Sequence, residues 1–367
     1  MSDSQRARII RVPVGAGANN YRGLELGPHS VERLTRDRIA DFQLDATSKS
    51  TRIPFRYWLD EKAEEIEAVS PGDAEDTGEY ETIQHLPAVS EICRRLREKV
   101  ADVLGENRDD PILPLVLGGD HSIAIGTIAG LRKARPNKKL GLLWIDSHSD
   151  YHTGYFGERF GNDEYDRWHR SGPAEKNNRK GTTFSGHIHG MALAVSCGYG
   201  EPKLLELFEQ GNFVAPENVV CLGLRDIDRE EKEWLFRDKV YCISSRQIGF
   251  HGVPDCVHRA VKHLLQKGVE ELHISFDIDC LESVVVPGTG TRVPGGMSFR
   301  EADLVLKLLR DWLPEVGIRV CSFDLVEVNP TIDKHGRTAH LAARLLTAFL
   351  GEEILYHESF AWPGDGP

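Results

Sequence analysis

Carboxylate and imidazole side chains recur directly after three apolar runs of this sequence. The segments that carry them are GGDHS at 118–122, DSHSD at 146–150 and DID at 277–279. With Asp120 set aside, they supply six side chains of the types that bind divalent cations: His121, Asp146, His148, Asp150, Asp277 and Asp279. In DSHSD the candidates fall at every second position, so an extended backbone would point all three to one side.

Four aspartates brought to one place would repel one another and raise each other's pKa. Bound cations would remove this conflict. Oxygen and imidazole ligands without a thiolate suit Mn²⁺ and also accept Fe²⁺, Co²⁺ or Ni²⁺. Six ligands exceed what one tetrahedral zinc ion needs, so the pattern predicts a site for two metal ions. Taken alone, GGDHS resembles an ordinary loop and the aspartates of DID resemble helix caps, whereas DSHSD is a strong signal by itself.

Six short apolar runs predict the β-strands that would position these motifs. They are 112–117, 140–145, 219–224, 240–244, 272–278 and 320–326. Their nearly continuous apolar character is typical of parallel strands covered on both faces. Amphipathic segments between them predict helices at 89–104, 122–133, 256–266, 299–313 and 339–350. This alternation predicts one doubly wound α/β domain, whose ligands bind beyond the carboxyl ends of the strands.

Two stretches interrupt the alternation, and we interpret them as insertions at about 47–85 and 151–181 in a single domain of residues 1–367. Residues 60–81 hold ten acidic residues and one lysine, which indicates a solvated surface loop. Residues 151–181 are polar but include six aromatic residues directly after the DSHSD motif. A loop of this length is usually functional or packed on something, so we hypothesise a lid over the site. An oligomer contact or a plain surface loop is the alternative.

The composition excludes several classes of protein. The chain of 367 residues carries a net charge of −12, which argues against nucleic acid and anionic membranes as partners. No apolar run approaches the roughly 18 residues of a spanning helix, and the first residues lack the apolar core of a secretory signal. The seven cysteines are scattered and form no CxxC pair, which predicts buried thiols and a cytoplasmic location.

Taken together, the motifs resemble the ureohydrolase family, which includes arginase, agmatinase and formimidoylglutamase. The matching blocks, in the family's order, are GGDHS, DSHSD, SFDIDCLES at 275–283, PGTGTRVPGG at 287–296 and EVNP at 327–330. The resemblance implies a three-layer α/β/α fold with a mainly parallel sheet, two Mn²⁺ ions and a small guanidino substrate. It also suggests a homo-oligomer, either a trimer or a hexamer.

The same resemblance assigns the metal ligands. It gives His121 and Asp150 to one metal ion and His148 and Asp279 to the other. Asp146 and Asp277 would bridge the two ions.

Further blocks look like the arginase branch in particular. TTFSGHIHGM at 182–191 resembles a segment whose histidine shuttles protons, and GLRDID at 223–228 resembles a segment whose second aspartate reaches the substrate's α-amino group. The resemblance therefore implies catalytic roles for Asp150, His189 and Glu327. It implies substrate contacts by Thr183, Ser185 and Asp228, and by His152, which stands where arginases have an asparagine. The expected reaction is hydrolysis of a guanidino C–N bond that releases urea and an amine.

Departures from the family pattern leave the substrate open. Ser147 replaces the alanine of the usual DAHxD motif, and Glu282 and Ser283 replace an Asp-Pro pair. His152 and the long 151–181 segment favour a guanidine other than arginine. The candidates are arginine or a related guanidino amino acid, then agmatine, a guanidino acid, guanidine itself or a formimidoylglutamase-like substrate. A non-catalytic metal-binding protein of the same fold is the remaining alternative, and the intact ligand set argues against it.

Overall fold

One parallel β-sheet organises the molecule. The computed structural model describes residues 5–18, 22–46, 57–67, 83–106, 112–153, 186–352 and 361–364. In this part of the chain the strands are β1 (Gln5–Val12), β2 (Tyr57–Leu59), β3 (Glu64–Glu65), β4 (Leu113–Gly118), β5 (Leu140–Ile145), β6 (Val219–Leu224), β7 (Tyr241–Ser244), β8 (Glu271–Asp277) and β9 (Arg319–Val326). Their order is β2-β1-β4-β9-β8-β5-β6-β7, with β3 also paired to β1, and every pair is parallel. All six predicted strands are confirmed.

Helices cover both faces of this sheet. Within the described ranges they are α1 (Gly27–Ala46), α2 (Leu86–Gly105), α3 (Ile123–Ala134), α4 (Ala192–Ser196), α5 (Pro202–Leu205), α6 (Arg229–Arg237), α7 (Ser245–His251), α8 (Val253–Gln266), α9 (Phe299–Glu315) and α10 (Arg337–Leu350). One apolar core joins the sheet to α1, α7, α8, α9 and α10, and a second joins it to α2, α3, α4, α5 and α6. The three-layer α/β/α fold is therefore confirmed. None of the helices described here is long and apolar enough to cross a bilayer.

The central strands are buried on both faces, as their apolar sequences predict. In β5, Leu143 and Ile145 pack into the first core, whereas Leu142 and Trp144 pack into the second. The seven cysteines are free thiols, and all except the half-buried Cys242 are buried. They act as small apolar side chains in these two cores.

The strand order brings the chemical motifs together. β9 and β8 lie between β4 and β5, so the four strands form one contiguous block at the centre of the sheet. Because all are parallel, their carboxyl ends share one edge. This edge carries GGDHS after β4, EVNP after β9, the DID motif at the end of β8 and DSHSD after β5.

The sequence did not predict the first three strands. β1 has three arginines among its eight residues, which hides its strand character. Arg8 is nevertheless buried, because its guanidinium pairs with Asp60 at 2.9 Å and also with Glu106. Burial of a charged side chain in a strand requires such partners. These partners lie far away in the sequence, so no local sequence pattern indicates the pairing.

The acidic stretch begins within the sheet. Residues 64–65 form β3 beside β1, and Glu65 accepts a hydrogen bond from Arg11 at 2.7 Å. Ile66, which follows, is buried. The prediction of a solvated loop is therefore wrong for these first residues, because they add a strand to β1 and neutralise its arginines. Residues 68–81 lie outside the described part of the chain.

We predict that Gly119→Ala destabilises the protein by about 1–3 kcal/mol, the cost of overpacking a close approach. A Cβ atom at Gly119 would lie 1.6 Å from the carbonyl oxygen of Val14, which is backbone and cannot swing away. Urea unfolding followed by circular dichroism measures the change.

Gly249→Ala is the matched control, because a Cβ atom there meets nothing within 4 Å. Gly249 lies inside α7, where alanine is favoured over glycine by roughly 0.5–1 kcal/mol, so this variant should be no less stable than wild type. Equal stability of Gly119→Ala and wild type would contradict the role of this contact.

Candidate metal centre

The six predicted ligand side chains converge at the carboxyl edge of the sheet. The first group consists of His121, Asp146 and Asp277, all buried. The Nδ1 atom of His121 lies 3.1 Å from Oδ2 of Asp146, 3.1 Å from Oδ2 of Asp150 and 3.4 Å from Oδ2 of Asp277. One imidazole nitrogen thus faces three carboxylates from two other strand ends.

A second group adjoins the first and shares one aspartate with it. It consists of Asp146, His148 and Asp279. The Nδ1 atom of His148 lies 3.1 Å from Oδ2 of Asp279 and 3.4 Å from Oδ1 of Asp146. Asp146 therefore turns a different oxygen toward each histidine. Two overlapping groups with a shared carboxylate are what a binuclear centre requires.

The surroundings of His121 test whether a cation fits. Its Nε2 atom is hydrogen-bonded to the hydroxyl of Ser275 at 2.8 Å, and its ring stacks on Trp144 with centroids 4.0 Å apart. Its Nδ1 atom is buried and has no hydrogen-bond partner among the described residues. A ring fixed by Nε2 that presents an unpaired Nδ1 to carboxylates matches the usual support of a metal-bound histidine. The donor set therefore fits divalent cations.

The electrostatics of the cluster favour positive charge at its centre. Burial and the Asp146 carboxylate raise the pKa of Asp150 to about 6. Burial and the neighbouring Asp279 raise the pKa of Asp277 well above its ordinary value. Burial opposes the charged form of His121, but the surrounding carboxylates outweigh it and raise the pKa of His121 well above the usual range. The raised pKa values mean that the repulsion among the carboxylates favours bound protons. Divalent cations would relieve the same repulsion.

Two carboxylate residues of the site have left-handed backbones. The φ angles are 48° for Asp150 and 65° for Glu327, a region that residues other than glycine rarely adopt. The Asp150 carbonyl accepts hydrogen bonds from the amides of Leu193 and Ala194, and the Glu327 amide donates to the carbonyl of Gly119 at 2.7 Å. Such strain persists only where surrounding contacts fix it, and it occurs often at functional sites.

Asp120 supports the site without joining the cluster. Its carboxylate accepts hydrogen bonds from the Gly17 amide at 2.9 Å and the Ser122 amide at 3.0 Å. The carbonyl of Gly17 in turn accepts the amide of His189 at 3.2 Å. Asp120 therefore joins the N-terminal turn to the GGDHS loop.

Glu231 is a buried residue of this site that the sequence analysis missed. One of its oxygens accepts hydrogen bonds from the Ser149 hydroxyl and from the Tyr151 amide at 3.1 Å, which flank Asp150. Its other oxygen accepts the Asp228 amide at 3.0 Å at the start of α6. The D-x-x-E pattern at 228–231 is a capping-box signal that could have indicated this helix start.

A cavity of about 180 Å³ opens beside the cluster. Its lining residues are His148, Asp150, His152, His189, Gly190, Asp226, Asp228, Glu231, Asp277 and Thr291. Three predicted residues, His152, His189 and Asp228, thus share a cavity with the ligand cluster. On one wall, Nε2 of His152 lies 2.8 Å from Oδ2 of Asp228. Thr183 and Ser185, like residues 154–181 of the hypothesised lid, lie outside the described part of the chain.

Glu327 is buried beside His189, one of the residues that line this cavity. Its Oε1 atom accepts the His121 amide at 2.9 Å and lies 3.5 Å from Nδ1 of His189. Burial opposes the charged form of His189, but the Glu327 carboxylate outweighs it and raises the pKa of His189 above its ordinary value. Glu327 is not among the lining residues, so its contact with a guanidinium group stays a prediction.

Fold and ligand set together define a class of metalloenzyme in which carboxylates and imidazoles hold two cations at the edge of a parallel sheet. Residues 5–351 match the model of the arginase family. The chain is 31% identical to an arginase of Staphylococcus aureus (strain MRSA252), over 97% of this chain and 100% of that protein. It is 33% identical to an arginase of Bacillus subtilis (strain 168), over 95% of this chain and 98% of that protein. The solved arginase of Bacillus caldovelox covers 96% of this chain and 100% of its own, with a TM-score of 0.73 and 28% identity.

The chain therefore belongs to the arginase family. Members of this family are binuclear metal enzymes that hydrolyse C–N bonds in linear amidines. This chain is accordingly a hydrolase of the ureohydrolase type, with candidate ligand groups for its metal ions. The resemblance seen in the sequence is confirmed at the level of the family.

We predict that Glu231→Gln lowers the free energy of unfolding by about 1–3 kcal/mol, the cost of unsatisfied buried polar groups. The side chain of glutamine has one oxygen that can accept hydrogen bonds, whereas glutamate has two. Either the donors that flank Asp150 or the Asp228 amide at the start of α6 would therefore lose their acceptor. Chemical denaturation measures the loss. Glu230→Gln is the control, because Glu230 is only partly buried one residue earlier in the same helix. Equal losses in both variants would contradict the role of Glu231.

Proposed function

We propose that this chain is an arginase-like amidinohydrolase that releases urea and an amine from arginine or a closely related guanidino amino acid. The observation that carries the proposal is the pair of ligand groups sharing Asp146 beside a cavity with an acidic wall. The cations would be bound at the end of the substrate site where the guanidino group reacts. The acidic wall would receive the other, cationic end of the substrate.

The proposed cofactor is two Mn²⁺ ions per chain, with Ni²⁺, Co²⁺ or Fe²⁺ as alternatives that the ligands also accept. His121 and Asp150 would hold one ion. His148 and Asp279 would hold the other, with Asp146 and Asp277 between them. When bound, such cations lower the pKa of a water molecule to about 7 and so supply a nucleophile near neutral pH.

The chain's own residues would handle protons and orient the substrate. Asp150 would accept the proton of the attacking water as the trigonal guanidino carbon becomes tetrahedral. His189 would donate a proton to the departing amine, and its raised pKa favours the protonated form that this step needs. Glu327 would orient the guanidinium by a charge-assisted hydrogen bond, which requires that its carboxylate be reached from the cavity.

The outer wall of the cavity bears on the choice of substrate. Asp226 and Asp228, which line the cavity, would attract an α-ammonium group. By the family resemblance, Thr183 and Ser185 would contact an α-carboxylate. The relatives compared above are arginases, which favours arginine. One observation favours a different guanidine, such as agmatine or a guanidino acid. His152 already occupies Oδ2 of Asp228, so a substrate ammonium would have to share or displace it.

We propose a single ureohydrolase domain in a homo-oligomer of three or six chains, located in the cytoplasm. Free, buried thiols suit a reducing compartment. Light scattering after size-exclusion chromatography measures the oligomer directly.

A urea-release assay over arginine, agmatine, guanidino acids and guanidine, with Mn²⁺ and then Ni²⁺ loaded, tests the proposal. Arginine as the best substrate by kcat/KM supports the proposed specificity. Better turnover of a guanidine without the α-amino group would favour the alternative. Absence of urea from every compound at full metal occupancy would overturn the proposed amidinohydrolase function.

We expect Asp146→Asn to abolish urea release and to weaken metal retention, because it removes charge from the carboxylate shared by both groups. Metal content after dialysis, measured by elemental analysis, gives a readout independent of activity. Asp102→Asn, on the exposed face of α2, is the control and should retain wild-type metal content. Full retention by Asp146→Asn would count against the binuclear site.

We expect His189→Asn to reduce kcat by about 10²–10⁴-fold, the usual contribution of a positioned proton donor. Metal content should stay at the wild-type level, because His189 belongs to neither ligand group. Exposed His340, in α10, supplies the His→Asn control. Unchanged kcat in His189→Asn would exclude the shuttle role.

A further inference from the structure

Ser147 lies between two side chains of the proposed metal centre and is fully buried. Its hydroxyl oxygen is 2.8 Å from Oδ1 of Asp279 and 2.9 Å from Nδ1 of His148. The Ser147 amide also donates to Oδ1 of Asp279, at 3.2 Å. A single residue thus touches both members of the His148–Asp279 pair.

The hydrogen bonds to Asp279 fix which of its oxygens faces His148. Oδ1 accepts both the amide and the hydroxyl of Ser147. Oδ2 accepts the hydroxyl of Thr291 at 3.0 Å and lies 3.1 Å from Nδ1 of His148. Since two donors hold Oδ1, the carboxylate cannot rotate, and Oδ2 remains turned toward the histidine nitrogen.

We propose that the Ser147 hydroxyl is a positioning group for one half of the metal centre, where it orients Asp279 for a divalent cation shared with His148. The inference rests on the proposed metal site and adds a residue to it. Alanine occupies this position in the family pattern DAHxD, and a methyl group donates no hydrogen bond. The hydroxyl is therefore a support that the pattern DAHxD does not provide, of the kind that typically changes metal affinity by about 10–100-fold.

The effect should be confined to one of the two cations. His121, in the other half, is held by the Ser275 hydroxyl and by stacking on Trp144. Within the described part of the chain, the hydrogen bonds of the Ser147 side chain reach only His148 and Asp279. Loss of its hydroxyl should thus weaken the His148–Asp279 half and leave the His121 half unchanged.

Cobalt titration of the metal-free full-length chain tests this asymmetry. Co²⁺ suits the ligand set and has visible absorption that reports the geometry of its ligands. Wild type should bind two Co²⁺ ions per chain by calorimetry. Ser147→Ala should also bind two, with the dissociation constant of one site raised about tenfold or more and an altered absorption spectrum for that step. Ser147→Thr keeps the hydroxyl and should restore the affinity.

Ser196→Ala is the matched control, because Ser196 is equally buried but donates to the carbonyl of Ala192 inside α4. It should titrate like wild type. A wild-type isotherm and spectrum for Ser147→Ala, or equal weakening of both sites, would overturn the positioning role. Failure of wild type to bind Co²⁺ would overturn the proposed metal site itself, whereas an unchanged Ser147→Ala in an active, two-cobalt enzyme would overturn this inference alone.

Discussion

Mutual repulsion among four buried aspartates is the constraint on which the structure of the site depends. Asp146, Asp150, Asp277 and Asp279 converge from two strand ends in a region with little solvent. Burying unpaired carboxylates is unfavourable by several kcal/mol per ion, so the cluster is stable only with compensating positive charge. The raised pKa values of Asp150 and His121 show this demand, and two divalent cations would meet it.

Because the ligands repel, the surrounding structure must hold them together. Trp144 contributes twice, since its ring stacks on His121 and its indole N–H donates to Asp146 at 3.1 Å. Glu231 fixes the loop on both sides of Asp150. These contacts order the carboxylates before any cation binds, so less reorganisation opposes binding, which is the general advantage of preorganised sites.

The sequence predicted the centre of the sheet and its β7 edge well, and the opposite edge, formed by β1, β2 and β3, poorly. Nearly continuous apolar runs form the central strands β4, β5, β6, β8 and β9. Strands that are buried on both faces require such a composition, so the sequence reveals them directly. β1 was missed because Arg8 looks exposed in the sequence, while in the structure it pairs with Asp60 and Glu106. The same ion pairing explains why part of the acidic stretch belongs to the sheet.

The sequence by itself determined the types and spacing of the candidate ligands, because the parallel sheet places residues after each strand at one edge. It could not determine which oxygen of Asp146 faces which histidine, or that His152 pairs with Asp228. Nor could it show that Glu327 contacts both the His121 amide and His189. Apart from the contact between Asp146 and His148, which are two positions apart, these relations join residues from tens to more than two hundred positions apart. Only the register of the strands and the packing of helices on them fix such distances.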